Sequence, residues 1–215
     1  MKHADARKAV AGAYRSLGTR GLIVGSSGNI SVRTRKGMVV TPSGGDPDGA
    51  GPADMAAMTL DGAVSGDATP SSEWAMHAAI YRMKPDAACV VHAHADACTA
   101  LASLNLPLPG FHYMVVRFGG NDVPCAPYVT FGTDALADAA AEALSDRSAC
   151  LLANHGMILH ARTVEAAVSD AILLETLCRQ YLLALSAGTP RLLTDTEMDA
   201  ARERFKTYGP RRTER

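Results

Sequence analysis

The chain has 215 residues, 47% hydrophobic and 20% charged, with a formal net charge of -1. That is enough for one α/β domain with a large core, and it argues against a nucleic-acid or membrane surface, since acids and bases are interspersed up to a short basic stretch at 211–215. No apolar run approaches the roughly eighteen residues of a membrane span, and the polar start at 1–8 lacks the apolar core of a secretory signal, so a cytoplasmic location is expected.

In chain order, Ala6, Val10, Ala13, Tyr14 and Leu17 recur at helical spacing and predict an amphipathic helix over 5–17, closed by Gly18 and Gly21. A glycine-rich turn at 25–29 leads into an alternating strand at 30–33. Its hairpin partner over 37–41 ends in Pro42, Ser43, Gly44 and Gly45. Glycines let backbone N–H groups approach an anion, and Ser and Asn add donors, so the two turns together suit a phosphate nest. A loop at 46–54 and a strand pair around 57–64 precede Pro70, Ser71, Ser72, Glu73 and Trp74, which open a helix running to about Met83. Ser71 and Ser72 are expected to cap that helix, whose N-terminus offers unpaired N–H groups to a phosphate, with Glu73 in the first turn beside it.

Residues 89–97 read CVVHAHADA. Strand side chains alternate faces, so His92 and His94 point the same way from one strand. Neutral imidazole is the commonest zinc ligand, and a catalytic zinc keeps three protein ligands and one open position. The third candidate is His155, where the apolar run over 150–159 is interrupted by Asn154, His155 and Gly156. Residues 95–105 read as a helix, and Phe111 to Val116 as a strand. Thr133 is predicted to cap a helix reaching about Ser145, Thr163 begins a long helix ending at Gly188, and Thr194 with Glu197 forms a capping box for the last helix. Cysteines 89, 98, 125, 150 and 178 are odd in number, without a C-x-x-C pair, and read as buried thiols in a reducing compartment.

One ordered set of short motifs resembles a known family. It comprises Gly28, Asn29 and Ser31; Thr41-Pro42-Ser43-Gly44; Pro70-Ser71-Ser72-Glu73; His92 and His94; His112, Tyr113 and Met114; Gly119, Gly120 and Asn121; Pro124 to Tyr128; Phe131-Gly132-Thr133; His155-Gly156; and Phe205 to Gly209. Together these resemble the class II aldolase and adducin-head superfamily over nearly the whole chain, and within it the L-fuculose-1-phosphate aldolases. The resemblance implies a three-layer α/β/α fold around a mixed, mostly antiparallel sheet, as one domain over 1–209 with a short basic tail at 210–215. It also implies a homotetramer with its sites near subunit boundaries and a sugar phosphate as substrate. By matching position, zinc (with Mn2+ or Co2+ as substitutes) falls on His92, His94 and His155, and the acid/base on Glu73. Phosphate contacts fall on Asn29, Ser43, Gly44, Ser71 and Ser72. Tyr113 becomes the catalytic tyrosine supplied across the interface, with Ser27, Phe131 and Tyr208 toward the aldehyde end.

The chemistry matches these residue types. Cleaving a C–C bond beside a ketone leaves a carbanion equivalent, which a Lewis-acid metal stabilises as an enediolate. Glu73 would move the proton and Tyr113 would donate to the aldehyde oxygen. A Schiff-base lysine is disfavoured, because Lys2, Lys8, Lys36, Lys84 and Lys206 all lie in polar, helix-end or turn contexts. The expected activity is cleavage of L-fuculose 1-phosphate to dihydroxyacetone phosphate and L-lactaldehyde. The alternative is cleavage of 5-deoxyribulose or 5-methylthioribulose 1-phosphate in salvage of nucleoside by-products. It is prompted by Val115, Val116, Arg117 and Phe118 where fuculose-phosphate aldolases carry small residues. Arg117 reads equally as an interface salt bridge. Pentulose-phosphate epimerases carry Asp in place of Glu73, a methylthioribulose-phosphate dehydratase is a further relative, and adducin heads lack the full metal set.

Overall fold

The computed structural model describes residues 1–208. The first element is helix α1 (His3–Thr19), followed by strands β1 (Gly28–Thr34), β2 (Gly37–Val40), β3 (Ala56–Met58) and β4 (Val64–Ser65). Helix α2 (Trp74–Met83), strand β5 (Cys89–Ala93) and helix α3 (Asp96–Ala102) come next. After a 3-10 helix (Tyr113–Phe118) the chain forms β6 (Cys125–Ala126), α4 (Asp134–Ala143), β7 (Ala149–Leu152), β8 (Gly156–Ala161), α5 (Val164–Ala187) and α6 (Asp195–Phe205). The eight strands form one sheet in the order β4-β3-β2-β1-β5-β8-β7-β6. Only β6 and β7 are parallel; every other neighbouring pair is antiparallel.

Period-2 alternation on the central strands feeds two cores. Ile30, Val32, Cys89, Val91, Met157 and Leu159 pack toward the side holding α1, α3 and α5. Val90, Val40, Cys150 and Ile158 pack toward Met76, Ile80 and Leu136 of α2 and α4. The result is the expected three-layer α/β/α sandwich with a mixed, mostly antiparallel sheet. β5 is buried along its whole length because both faces are covered.

Local end signals act as read. Thr133 and Thr163 accept from the backbone N–H of Leu136 and Ala166, and Thr194 with Glu197 makes both halves of a capping box. One expectation needs correction. Tyr113 to Phe118 is a 3-10 helix rather than a strand, with Val115, Val116 and Phe118 buried together and the chain turned at Gly119 (φ 96°). Alternation cannot hold where three such neighbours are buried at once. The apolar run at 150–159 is two antiparallel strands, β7 and β8, and His155 sits in their connecting turn. Asn154 there takes a positive φ of 55°, a conformation Asn tolerates better than most residues. The five cysteines are free thiols, four of them buried. No helix among the described residues is long and apolar enough to cross a membrane. The expected basic tail at 210–215 lies outside the described residues.

Candidate active site

The site forms where β1 and β5 run side by side beneath α2. Their register sets Asn29 directly opposite His92. Because Val91 and Cys89 point to the opposite core, His92 points toward α2. Its Nδ1–H donates to the carbonyl of Met157 at 2.9 Å, which orients the ring and turns Nε2 toward the other site residues. That Nε2 lies 3.0 Å from His94 Nε2. The β7–β8 turn brings in His155, and the three ring centroids stand 4.8 to 4.9 Å apart with planes crossed at 70° to 80°. One nitrogen from each ring falls within 4.8 Å of the others, the only such cluster of metal-ligating types among the described residues.

Glu73 is the N-cap of α2, yet its side chain caps nothing. It turns instead to the histidines, with Oε2 3.2 Å from His92 Nε2 and Oε1 3.2 Å from His155 Nε2. Asn29 Nδ2 donates to Oε2 at 2.9 Å, whereas Oε1 is buried without a hydrogen-bond donor. Burial alone would raise the Glu73 carboxyl; the neighbouring His155, His92 and Asn29 outweigh it and hold the group well below its usual range. Burial, reinforced by His92 and His155, pushes His94 down to about 4, so it is a neutral donor near pH 7. Three imidazoles facing one another, with a buried carboxylate oxygen beside them, form a donor set that fits a divalent cation.

Ser71 and Ser72 do not cap the helix as expected. Ser71 Oγ accepts only from the Glu73 N–H at 3.3 Å, and the helix proper starts at Trp74. This shift by one residue leaves the Glu73 carboxylate free to face the imidazoles instead of folding back on its own N-terminus.

A cavity of about 340 Å³ opens over this group. Of the residues expected at the site, Ser27, Ser72, Glu73, His94, His155 and Phe131 line it. Asn29 and Ser71 lie buried behind it. Ser43 and Gly44 stand outside the lining, exposed, but the Ser43 N–H donates to the Thr69 carbonyl at 3.0 Å and so ties their loop to the one carrying Ser71. Ser26, in the glycine-rich turn, also lines the cavity, as do Tyr128, Val129 and Asn154, none of them among the residues expected at the site. His77 and Ser31 were missed as well, although a signal existed: they stand four residues beyond Glu73 on a helix and two beyond Asn29 on a strand. No lysine lines the cavity.

Tyr113 and Tyr208 are not brought to this chain's cavity. Tyr113 stacks on His112 and Phe205, with centroids at 4.7 and 6.0 Å, and Tyr208 packs edge-on against Phe205. Val115 and Phe118 are fully buried in the core and line nothing, so the expected change in the cavity lining at 115–118 does not occur in this chain. Arg117 pairs with Asp170 at 2.7 Å within the same chain.

Gly156 seats the third histidine. A Cβ added there would stand 2.5 Å from the Ala93 carbonyl oxygen and 3.1 Å from the His94 ring. Since the first neighbour is backbone of the central strand, it cannot move aside cheaply. Gly156→Ala is expected to weaken divalent-metal affinity about 10–100-fold by displacing His94, measured by competition with a chromogenic chelator. Unaltered affinity would mean the turn has slack that this packing denies it.

Residues 8–182 match the Class II Aldolase and Adducin N-terminal domain family. The 5-methylthioribulose-1-phosphate/5-deoxyribulose-1-phosphate aldolase of Rhodospirillum rubrum is 44% identical over 92% of this chain and 89% of its own length. An L-fuculose phosphate aldolase of Escherichia coli is 43% identical over 89% of each chain. Among solved structures, an L-fuculose 1-phosphate aldolase superposes with a TM-score of 0.90 at 38% identity, covering 94% of this chain and 96% of that one. With the family matched across most of its length and close relatives aligned nearly end to end, the chain belongs to the class II aldolase family.

Proposed function

We propose that this protein is a metal-dependent aldolase that reversibly cleaves a ketose 1-phosphate into dihydroxyacetone phosphate and a small aldehyde. The observation that carries this reading is the meeting of three imidazoles with the Glu73 carboxylate, whose Oε1 has no donor of its own. His92, His94 and His155 would hold the cation, for which zinc is our choice and Mn2+ or Co2+ are substitutes. A bound divalent cation supplies Lewis acidity that stabilises negative charge on the ketone side as the carbon–carbon bond breaks. Glu73 acts as general base, taking a proton from dihydroxyacetone phosphate in the condensing direction and returning it in cleavage.

Ser27 would stand toward the aldehyde, and the phosphate would sit against Ser72 with the backbone of the neighbouring turns, Ser71, Ser43 and Gly44 extending that polar surface. Asn29 keeps a second amide hydrogen for it, since Nδ2 carries two and Glu73 takes one. Exposed Tyr128 and Phe131 also line the cavity. Tyr113, 49% exposed and away from its own cavity, fits a role in a neighbouring copy, donating to the aldehyde oxygen there, with Tyr208 beside it. A homotetramer sharing residues between sites is our reading. The unpaired thiols suit a reducing compartment, the cytoplasm.

L-Fuculose 1-phosphate, giving L-lactaldehyde, is one substrate supported by the relatives. 5-Deoxyribulose or 5-methylthioribulose 1-phosphate is the second, favoured by the name and identity of the Rhodospirillum rubrum relative. The test is kcat/KM of the metal-loaded protein on these three compounds, alongside its mass by light scattering. Cleavage of at least one, by a particle of four chains, is expected. A dominant value for the second class would select the salvage reading, and no cleavage of any would overturn the aldolase reading.

A further inference from the structure

Behind Glu73 runs a line of buried polar groups that proton transfer alone does not require. Asn29 Nδ2 donates to Glu73 Oε2, and Asn29 Oδ1 lies 2.6 Å from His77 Nε2. His77 Nδ1 is 2.7 Å from Ser31 Oγ, and the Tyr81 hydroxyl is 2.9 Å from both the Ser31 hydroxyl and the Ser31 carbonyl. His77 and Ser31 are 0% exposed. The sequence builds this line from two periodicities. Glu73, His77 and Tyr81 recur every four residues along one face at the start of and within α2, while Asn29 and Ser31 share one face of β1.

The Asn29 amide sets the direction of the line: its Nδ2 donates to Glu73 Oε2, which leaves its Oδ1, an acceptor, facing His77 Nε2. His77 Nε2 must then be the protonated nitrogen. A neutral ring leaves Nδ1 as acceptor, satisfied by the Ser31 hydroxyl, while the Tyr81 hydroxyl beside it donates to the Ser31 carbonyl. Burial, helped by nearby His92 and only partly offset by Glu73, pushes His77 down to about 3, so the ring is neutral near pH 7. Burial likewise raises Tyr81 well above its ordinary range and keeps it a donor. At the far end, the Arg33 guanidinium covers the Tyr81 ring at 4.6 Å and donates to the Ala87 carbonyl at 2.8 Å.

We propose that His77 is a positioning residue for the reaction: its Nε2–H locks the Asn29 amide with its NH2 against Glu73 Oε2, which fixes the orientation of the carboxylate at the cavity. This rests on the reading of Glu73 as the base. Without the lock, the amide is free to flip and set its oxygen against a carboxylate oxygen 2.9 Å away, where two acceptors repel.

Two measurements test this. In 15N-labelled wild-type protein, long-range 1H–15N correlations should report His77 as the Nε2–H tautomer at pH 7 to 8, assigned by its loss in His77→Gln. An Nδ1–H tautomer or a charged ring would overturn the proposal, and this readout stands even if the protein cleaves no ketose 1-phosphate. In kinetics, His77→Leu should lower kcat about 10–100-fold with KM and bound metal per chain unchanged. His77→Gln, which can still donate to Asn29, should recover most of that loss. Should His77→Leu fail to fold, Ser31→Ala, which frees the ring to exchange tautomers, is expected to lower kcat in the same selective way. A fall in kcat that merely tracks lost metal, no fall at all, or no recovery with Gln would reduce His77 to a packing residue.

Discussion

Glu73→Gln is expected to keep the fold and the bound metal while lowering cleavage by about 10²–10⁴-fold. The amide can still accept from Asn29 through its carbonyl, so the buried network survives, but it has no basic oxygen to offer. Rate alone would not separate a base from a residue that orients substrate. Exchange of the carbon-bound protons of dihydroxyacetone phosphate with deuterated solvent, without any aldehyde, isolates the step assigned to Glu73. That exchange should vanish in Glu73→Gln with metal content unchanged. Near-normal exchange would take the role of base away from position 73 and send the search to another group lining the cavity.

Removal of the metal should abolish turnover, and stoichiometric zinc should restore it. The three imidazoles are partly or fully buried, and no lysine lines the cavity to provide another electron sink. His155→Ala should behave like the chelated protein at equimolar zinc, because two imidazoles from one strand cannot close the site alone. Metal binding only to the folded state also raises stability, by about 2.7 kcal/mol when free metal is a hundredfold above its dissociation constant. Melting with and without zinc therefore gives a second readout. Full activity in a sample shown metal-free by elemental analysis would overturn the metal-dependent reading together with the role of all three histidines.

Some of the site was legible in local patterns. Two histidines at i and i+2 are expected to share a face of one strand; β5 ends at Ala93, one residue before His94, yet the two Nε2 atoms still meet at 3.0 Å. A Thr followed three residues later by Glu caps a helix through contacts within one turn. The glycine and serine turns likewise marked where the cavity opens, at Ser27 and Ser72. The resemblance of ten ordered motifs supplied the sheet type and the ligand set, which periodicity alone had left at α/β and a search for a third histidine.

Tertiary structure decided the rest, for a physical reason common to each case: a repeat of 2 or 3.6 residues says which face a side chain takes, and nothing about what comes to meet it. The antiparallel register that sets Asn29 opposite His92, the one-residue delay in the start of α2 that turns Glu73 toward the imidazoles, and the hairpin turn that delivers His155 are all agreements between distant segments. So is the burial of Val115, Val116 and Phe118, which makes a 3-10 turn from residues that favour a strand. The sequence by itself determined which groups were available and on which faces they would stand; only the packing of α2 across β1 and β5, with the β7–β8 turn, brought a carboxylate, an amide and three imidazoles within hydrogen-bonding reach, because the contacts of Glu73 with Asn29, His92 and His155 join residues 19 to 82 positions apart.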